Sequence, residues 1–400
     1  MIKERVARAV DTQVEALKAQ SEWMYHNPEI GYQEYESSKR LAAMLESAGF
    51  TVDRGVAGME TAFVATYAGT SPAPVIGLFA EYDALPGIGH ACGHNIIGTG
   101  AAGAGIALVK AWPDIPATIK VFGSPAEEGG AVDNAGGKVH LVDHGFLQGV
   151  DAAMMVHPCT NGNQTAPIYM SRESIEMVFG GKTAQPAGSA HEGVNALEAA
   201  VMAYVGINSL RQYLKPSMWI HGVITEGGKA PNIIPDRAVM RFYVRGLDEN
   251  DVAETAERVR NAARSAASTT GATVTFREYS KKYMSLLPNA PLSTAFRANF
   301  ETLGRRVDTA GIKPRGSTDM GNVTWAVPGI HAEIRIGDPE VIGNTHSPRF
   351  AAASVSEEGH RALLDSAKAM AMTTVDLIQD SRLLEQVKRA FVEAKAAGRK

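Results

Sequence analysis

Apolar and polar positions recur along this chain at two periods, and the switches between them outline its elements. MIKERVARAVDTQVEALKAQ opens with helical spacing and predicts one amphipathic helix with a polar outer face. A turn at Asn27-Pro28 follows, and then Leu41, Leu45 and their neighbours repeat at helical spacing. Residues 61–66 and 75–79 read as short buried strands, with a loop over 81–94. The stretch IIGTGAAGAGIALVKAW is small and apolar throughout, which suits a helix packed tightly beneath a sheet. Residues 118–122 and 152–156 are further apolar strands, each ending in polar residues. Strands alternating with helices predict an α/β fold, a mostly parallel sheet flanked by helices.

The middle of the chain changes rhythm. Strands over 175–179, 218–225, 239–245 and 274–279 are separated by helices over 193–212 and 250–269, the latter with Asn250 as N-cap. This β-α-β-β-α-β order predicts an inserted α+β split-βαβ domain over 172–287. The catalytic domain is then discontinuous, 1–171 and 288–400, and closes with a helix over 357–379 and a polar tail.

Length and composition narrow the function classes. Four hundred residues exceed one ordinary core, and 45% hydrophobic with 20% charged residues is the balance of a globular enzyme. A net charge of −4 without a long basic run argues against nucleic acid or an anionic membrane surface as partner. The N-terminal segment lacks the apolar stretch of a signal peptide, and no window has the run of apolar residues that a membrane span needs. Two cysteines, Cys92 and Cys159, are too few for a secreted disulfide scaffold, so a reducing cytoplasm is expected.

The candidate chemistry gathers at strand ends, where open α/β sheets place ligands. In AEYDALPGIGHACGHN, Cys92 and His94 are two apart and in an extended loop reach one metal or a metal pair. A thiolate with an imidazole favours zinc, with manganese or cobalt also accommodated. In SPAEEGG, Glu127 and Glu128 point to opposite sides of an extended segment. One can hold a metal while the other faces water as general base. His157 in MMVHP and His346 in GNTHSP each read alone as structural. With the others they complete a set suited to two metals about 3.5–4 Å apart.

These stretches, with HNPEIGYQE, GVNALEAA, HGVI, GGKAPNIIPD, GSTDMGNV and VPGIH, run in one order from about residue 26 to 350. On them the chain resembles the aminoacylase/carboxypeptidase-type dinuclear metallohydrolases. The branch is the amidohydrolase one, with p-aminobenzoyl-glutamate hydrolase, auxin-conjugate hydrolases and a dipeptidase-like mammalian member. The resemblance implies two divalent metal ions (Zn, Mn or Co), with Cys92 bridging and His94, Glu128, His157 and His346 completing the shell. It implies Glu127 as general acid/base and Asp83 as the carboxylate that orients a ligand imidazole. It makes the inserted domain a lid that forms a homodimer, with Asn232 and Arg245 touching substrate. An arginine there would clamp a carboxylate bidentately; its alternative is a surface arginine on an exposed strand.

One position departs from the family pattern. Relatives carry G-K-x-x-H in the lid, and its histidine steadies the tetrahedral oxyanion; here the segment GGKTAQPAGSAHEG has Gln185. His191 lies six residues on and is either its substitute or a polar cap before the next helix. The insertion AVDNAGGKVH after the carboxylate pair also sits where it reshapes the site. The expected function is metal-dependent hydrolysis of a C–N bond, first the amide of a small N-acyl or aryl-amide amino-acid conjugate or a dipeptide. The alternative is an aminohydrolase that releases ammonia from an activated aromatic amine. A non-catalytic metal-binding homologue is the third reading, and the retained ligands and Glu127 argue against it.

Overall fold

The computed structural model describes residues 1–398. The chain divides into two compact units. The first comprises Met1–Ile168, Leu286–Arg315 and the chain from Asp319 on; the second comprises Tyr169–Ser285 and Gly316–Thr318.

Numbering the strands among the described residues in chain order, the first unit holds β1 (Thr51–Arg54), β2 (Phe63–Ala68), β3 (Val75–Glu81), β4 (Thr118–Ser124), β5 (Ala152–Cys159) and β10 (Gly329–Arg335). They form one sheet in the order β1-β2-β4-β3-β5-β10. The four strands from β4 to β10 run parallel, and β1 and β2 add an antiparallel edge. The α/β class is thus as the hydrophobic pattern predicts.

The helix His94–Ala111 packs against β3, and only Lys110 along it is exposed. Its small residues let it approach closely. A Cβ at Gly98 would stand 2.5 Å from the Glu81 carbonyl oxygen. That contact brings the helix start, with His94, to the C-terminal end of β3. The helix Glu357–Gln379 covers the other side of His94–Ala111 with Leu363, Ala367 and Met370 in the same core.

Three local expectations are corrected. The first predicted helix is two, Ile2–Asp11 and Val14–His26. At the break, Thr12 Oγ1 and Gln13 Nε2 both donate to the Ala9 carbonyl (2.8 and 2.9 Å), in competition with the helical ladder. The polar tail is a helix, Ser381–Ala397, anchored by Leu384 and Val387. The N-cap of helix Glu249–Thr270 is Asp248, whose carboxylate accepts from the amides of Asn250 and Asp251, so Asn250 lies inside the first turn.

The second unit holds β6 (Ser171–Gly180), β7 (Met218–Glu226), β8 (Arg237–Gly246) and β9 (Thr273–Arg277). All pairs are antiparallel, in the order β7-β8-β6-β9. Ile175, Met177 and Phe179 of β6 and Met240, Phe242 and Val244 of β8 point inward, as period-two alternation requires. They meet Ala199 and Ala203 of helix Ala196–Ser209 and Val252, Ala256 and Val259 of Glu249–Thr270.

Candidate metal centre

Three strand ends and one late loop supply the site, all within the first unit. Beyond β3 the chain turns through Gly93, whose φ of 77° is natural to glycine and where a Cβ would stand 2.8 Å from Pro158 Cγ. His94 then starts the helix with its side chain fully buried. Its Nδ1 lies 2.9 Å from both the carbonyl and Oδ1 of Asp83, two acceptors, so Nδ1 carries the proton and donates. Nε2 has no hydrogen-bond partner of its own, lies 3.3 Å from Glu81 Oε2, and is the nitrogen free to take a metal. The other Asp83 oxygen accepts from the Glu128 amide (3.0 Å), so one carboxylate orients both the imidazole and the carboxylate loop.

That loop follows β4. Ala126 takes a left-handed φ of 53°, costly for a residue with a Cβ. Its amide donates to Glu34 Oε1 (2.9 Å) and its carbonyl accepts from Gly136 (2.8 Å). Glu127 and Glu128 follow, both buried. His157, from β5, donates through Nδ1 to the Pro158 carbonyl (2.6 Å) and sets Nε2 3.5 Å from Cys92 Sγ. His346, half exposed at a left-handed φ of 63°, lies 3.5 Å from Cys92 Sγ and 3.5 Å from Glu128 Oε1.

The ligand atoms of Cys92, His94 and His157 lie within 4.8 Å of one another, and so do those of Cys92, Glu128 and His346. Cys92 belongs to both sets. His94, Glu127 and Glu128 form a third such group. His94 Nε2 and Glu128 Oε1 are buried without hydrogen-bond partners. Buried polar atoms without partners are rare in folded proteins, and a cation between them would satisfy both. Soft thiolate, imidazole and carboxylate together fit a borderline divalent ion.

The electrostatics agree with a cation-shaped gap. Burial pushes the Cys92 thiol well above its ordinary value, and Glu128 adds to this. Burial alone would depress His94, but Asp83 and Glu81 outweigh it and hold the imidazole protonated well above the usual range. Burial lowers His157 to about 4, leaving it neutral and ready to ligate. Glu127 is raised well above the carboxylate range by burial, Glu81, Glu128 and Asp319. Divalent ions would reverse the trends at Cys92 and His94 by displacing their protons.

The other expected residues lie in the second unit. Gln185 is exposed before the short helix Pro186–Ser189, and its carbonyl accepts from Gly188 and Ser189 (3.1 and 2.9 Å). His191 and Asn232 are exposed. Arg245 donates through Nε to His221 Nε2 and through Nη1 to Ser317 Oγ, both 3.1 Å.

Sequence reasoning passed over four buried charged groups beside the centre: Glu34, Glu81, Lys138 and Asp319. Glu81 shares its strand end with Asp83, Lys138 lies in the insertion AVDNAGGKVH, and Asp319 stands in GSTDMGNV, so these three lie in or beside the stretches that carry the candidate ligands and the family motifs.

The profile of Peptidase family M20/M25/M40 matches residues 77–369. The chain is 34% identical to the Xaa-Arg dipeptidase of Mus musculus, covering 98% of this chain and 92% of that protein. It is 28% identical to one of the subunits of the Escherichia coli p-aminobenzoyl-glutamate hydrolase, covering 96% and 94%. A solved Bacillus subtilis structure, described as a dinuclear metal binding peptidase from the M20 family, superposes with a TM-score of 0.65 at 22% identity, covering 91% and 99%.

Proposed function

The chain belongs to peptidase family M20/M25/M40 and is a hydrolase of C–N bonds; on that premise we propose that two divalent ions act between Cys92, His94, Glu128, His157 and His346. The substrate we propose is the amide of a dipeptide or of a small acyl or aryl conjugate of an amino acid. What carries the reading is that two three-residue ligand sets share Cys92, each with its donor atoms within 4.8 Å. The dipeptidase and aminobenzoyl-glutamate relatives supply the substrate class.

Divalent ions held by these residues would supply an acidified water and Lewis-acid polarisation of the scissile group. The chain's own residues do the rest. Asp83 holds the Nδ1 proton of His94 and keeps Nε2 turned to the site. Glu127 takes a proton from the attacking water and returns it to the leaving nitrogen. A buried carboxyl of raised proton affinity suits that double role. To Arg245, with Asn232, Gln185 and His191, we assign substrate binding, the guanidinium taking the substrate carboxylate. A cytoplasmic setting keeps the Cys92 thiol reduced for ligation; both cysteines are free thiols.

Gln185 favours a second reading, release of ammonia from an activated aromatic amine. That reaction forms no carbonyl oxyanion, so a neutral amide in place of the lid histidine costs it little. The test is metal analysis of the purified protein, then turnover of Xaa-Arg dipeptides, N-acyl amino acids, aminobenzoyl-glutamate and substituted anthranilates. Amino-acid release is expected, and ammonia from the anthranilates would favour the second reading instead. Glu127→Gln should lower kcat by about 10²–10⁴-fold while leaving metal content at the wild-type level. Wild-type activity in that variant would sink the acid/base assignment.

A further inference from the structure

Lys138 is fully buried, which a lysine accepts only when its charge is matched. It opens the helix Gly137–Asp143 at the end of the glycine-flanked insertion that follows the carboxylate pair. Its Nζ donates to Glu81 Oε1 and to Asp319 Oδ1 in two short ion pairs. Its amide donates to the other oxygen of Asp319 (2.9 Å), so that carboxylate is held at both ends by one residue. Oxygens of Glu81, Asp319 and Glu127 lie within 4.8 Å of one another. Three carboxylates converge there, and the ammonium occupies the place that a further cation would otherwise take.

The same insertion reaches Glu127 through the backbone. Gly136, two residues before Lys138, donates to the carbonyl of Ala126, the strained residue that precedes Glu127. Gly137 fits only because it lacks a side chain, since a Cβ there would stand 2.1 Å from the Pro125 carbonyl oxygen. Residues 136–137 thus pack against the main chain that precedes Glu127, and the carboxylates that Lys138 binds lie within 4.8 Å of the Glu127 carboxylate.

We propose that Lys138 is a positioning residue for the hydrolysis, its ammonium binding Glu81 and Asp319 together so that Glu127 is held at the metal centre in its proton-transferring pose. The proposal rests on the reading of Glu127 given above. The insertion then has a purpose, since it carries a built-in cation to the underside of the general base. Lys138 touches neither substrate nor metal and acts only through the carboxylates.

The test is the set Lys138→Met, Glu127→Gln, Lys138→Met with Glu127→Gln, and Lys138→Met with Glu81→Gln, in the metal-loaded enzyme with an Xaa-Arg dipeptide. Lys138→Met should lower kcat about 100-fold with KM within about threefold of wild type and metal content unchanged. It should add nothing to Glu127→Gln, because the two act as one unit. Removing Glu81 together with Lys138 relieves part of the uncompensated charge, so the melting temperature should recover while kcat stays low. That pair also carries the test if Lys138→Met alone fails to fold. A crystal structure of the folded variant should show the Glu127 carboxylate displaced. Recovery of kcat alongside stability, equal factors in both Glu127 backgrounds, or an unmoved Glu127 would each overturn the proposal. Full activity of Glu127→Gln would instead overturn the reading beneath it.

Discussion

At the scale of single residues, the site is a crowd of buried carboxyls held by a few specific partners. Glu34 is the most telling outside the ligand sets. Its two oxygens accept from the Ala126 amide (2.9 Å) and from Thr61 Oγ1 (2.8 Å), and burial together with Asp83 raises its pKa to about 8. Below its ordinary value of 4.5 both the folded and the unfolded chain keep this proton. Between 4.5 and about 8 the unfolded chain releases it and the folded chain does not, so rising pH costs stability across that window and no further above it. Glu34→Gln removes the titration. Its stability relative to wild type should climb by a few kcal/mol from pH 5 to pH 8, read as urea midpoints at the two values. A gap that does not change with pH would mean Glu34 is ionised throughout. The ligand types were legible in the sequence because a thiol, imidazoles and paired carboxylates at strand ends form a recognisable set. Lys138 was not, because a lysine after two glycines reads as solvated until its carboxylate partners, 57 and 181 positions away, are seen.

Among the elements, legibility followed how cleanly each buries one face. The helix Glu357–Gln379 and the strands that begin at Val75, Thr118 and Ala152 stand where the apolar runs place them. β1 is a short edge strand of exposed and half-buried residues and carries no burial signal. β10 hides because His331 and Glu333 interrupt its apolar run. The fold accepts them by stacking His331 on His157 at 5.3 Å and pairing Glu333 with Arg315. The helix His94–Ala111 has the opposite property, since its glycines read as weakness and act as spacing. In an ordinary helix Gly→Ala stabilises by about 0.5–1 kcal/mol. At Gly98 the added methyl would meet the Glu81 carbonyl at 2.5 Å. Gly98→Ala should therefore destabilise by about 1–3 kcal/mol and reduce metal content, seen in the melting temperature and by elemental analysis. An unchanged melting temperature would show that the helix can slide without cost.

For the whole molecule, the question is what covers the apolar surface of the second unit. Val201, Met202 and Val205 are exposed on the helix Ala196–Ser209, and Trp219 and Val223 are exposed on β7, the edge strand of its sheet. Exposed apolar groups beside an open strand edge are what natural proteins cover or pair. A homodimer through this unit is the arrangement we expect. Val205→Glu should shift the sedimenting species from twice the chain mass toward the chain mass of 42.5 kDa. A wild-type protein that already sediments as a monomer at micromolar concentration would remove that expectation. No helix among the described residues is long and apolar enough to cross a membrane.

The contact between Cys92 and His346 spans 254 positions, while Cys92 and His157 are 65 apart. A growing chain therefore has most of the centre in hand long before its last ligand has been made. A centre built on these side chains would close only when residue 346 arrives, after the whole second unit but before the helices Glu357–Gln379 and Ser381–Ala397 of the first. Of the two sets, Cys92 with His94 and His157 is complete by residue 157, and Cys92 with Glu128 and His346 waits for the late loop. An ion held by the second set would link parts of the chain 254 positions apart before the last two helices are made.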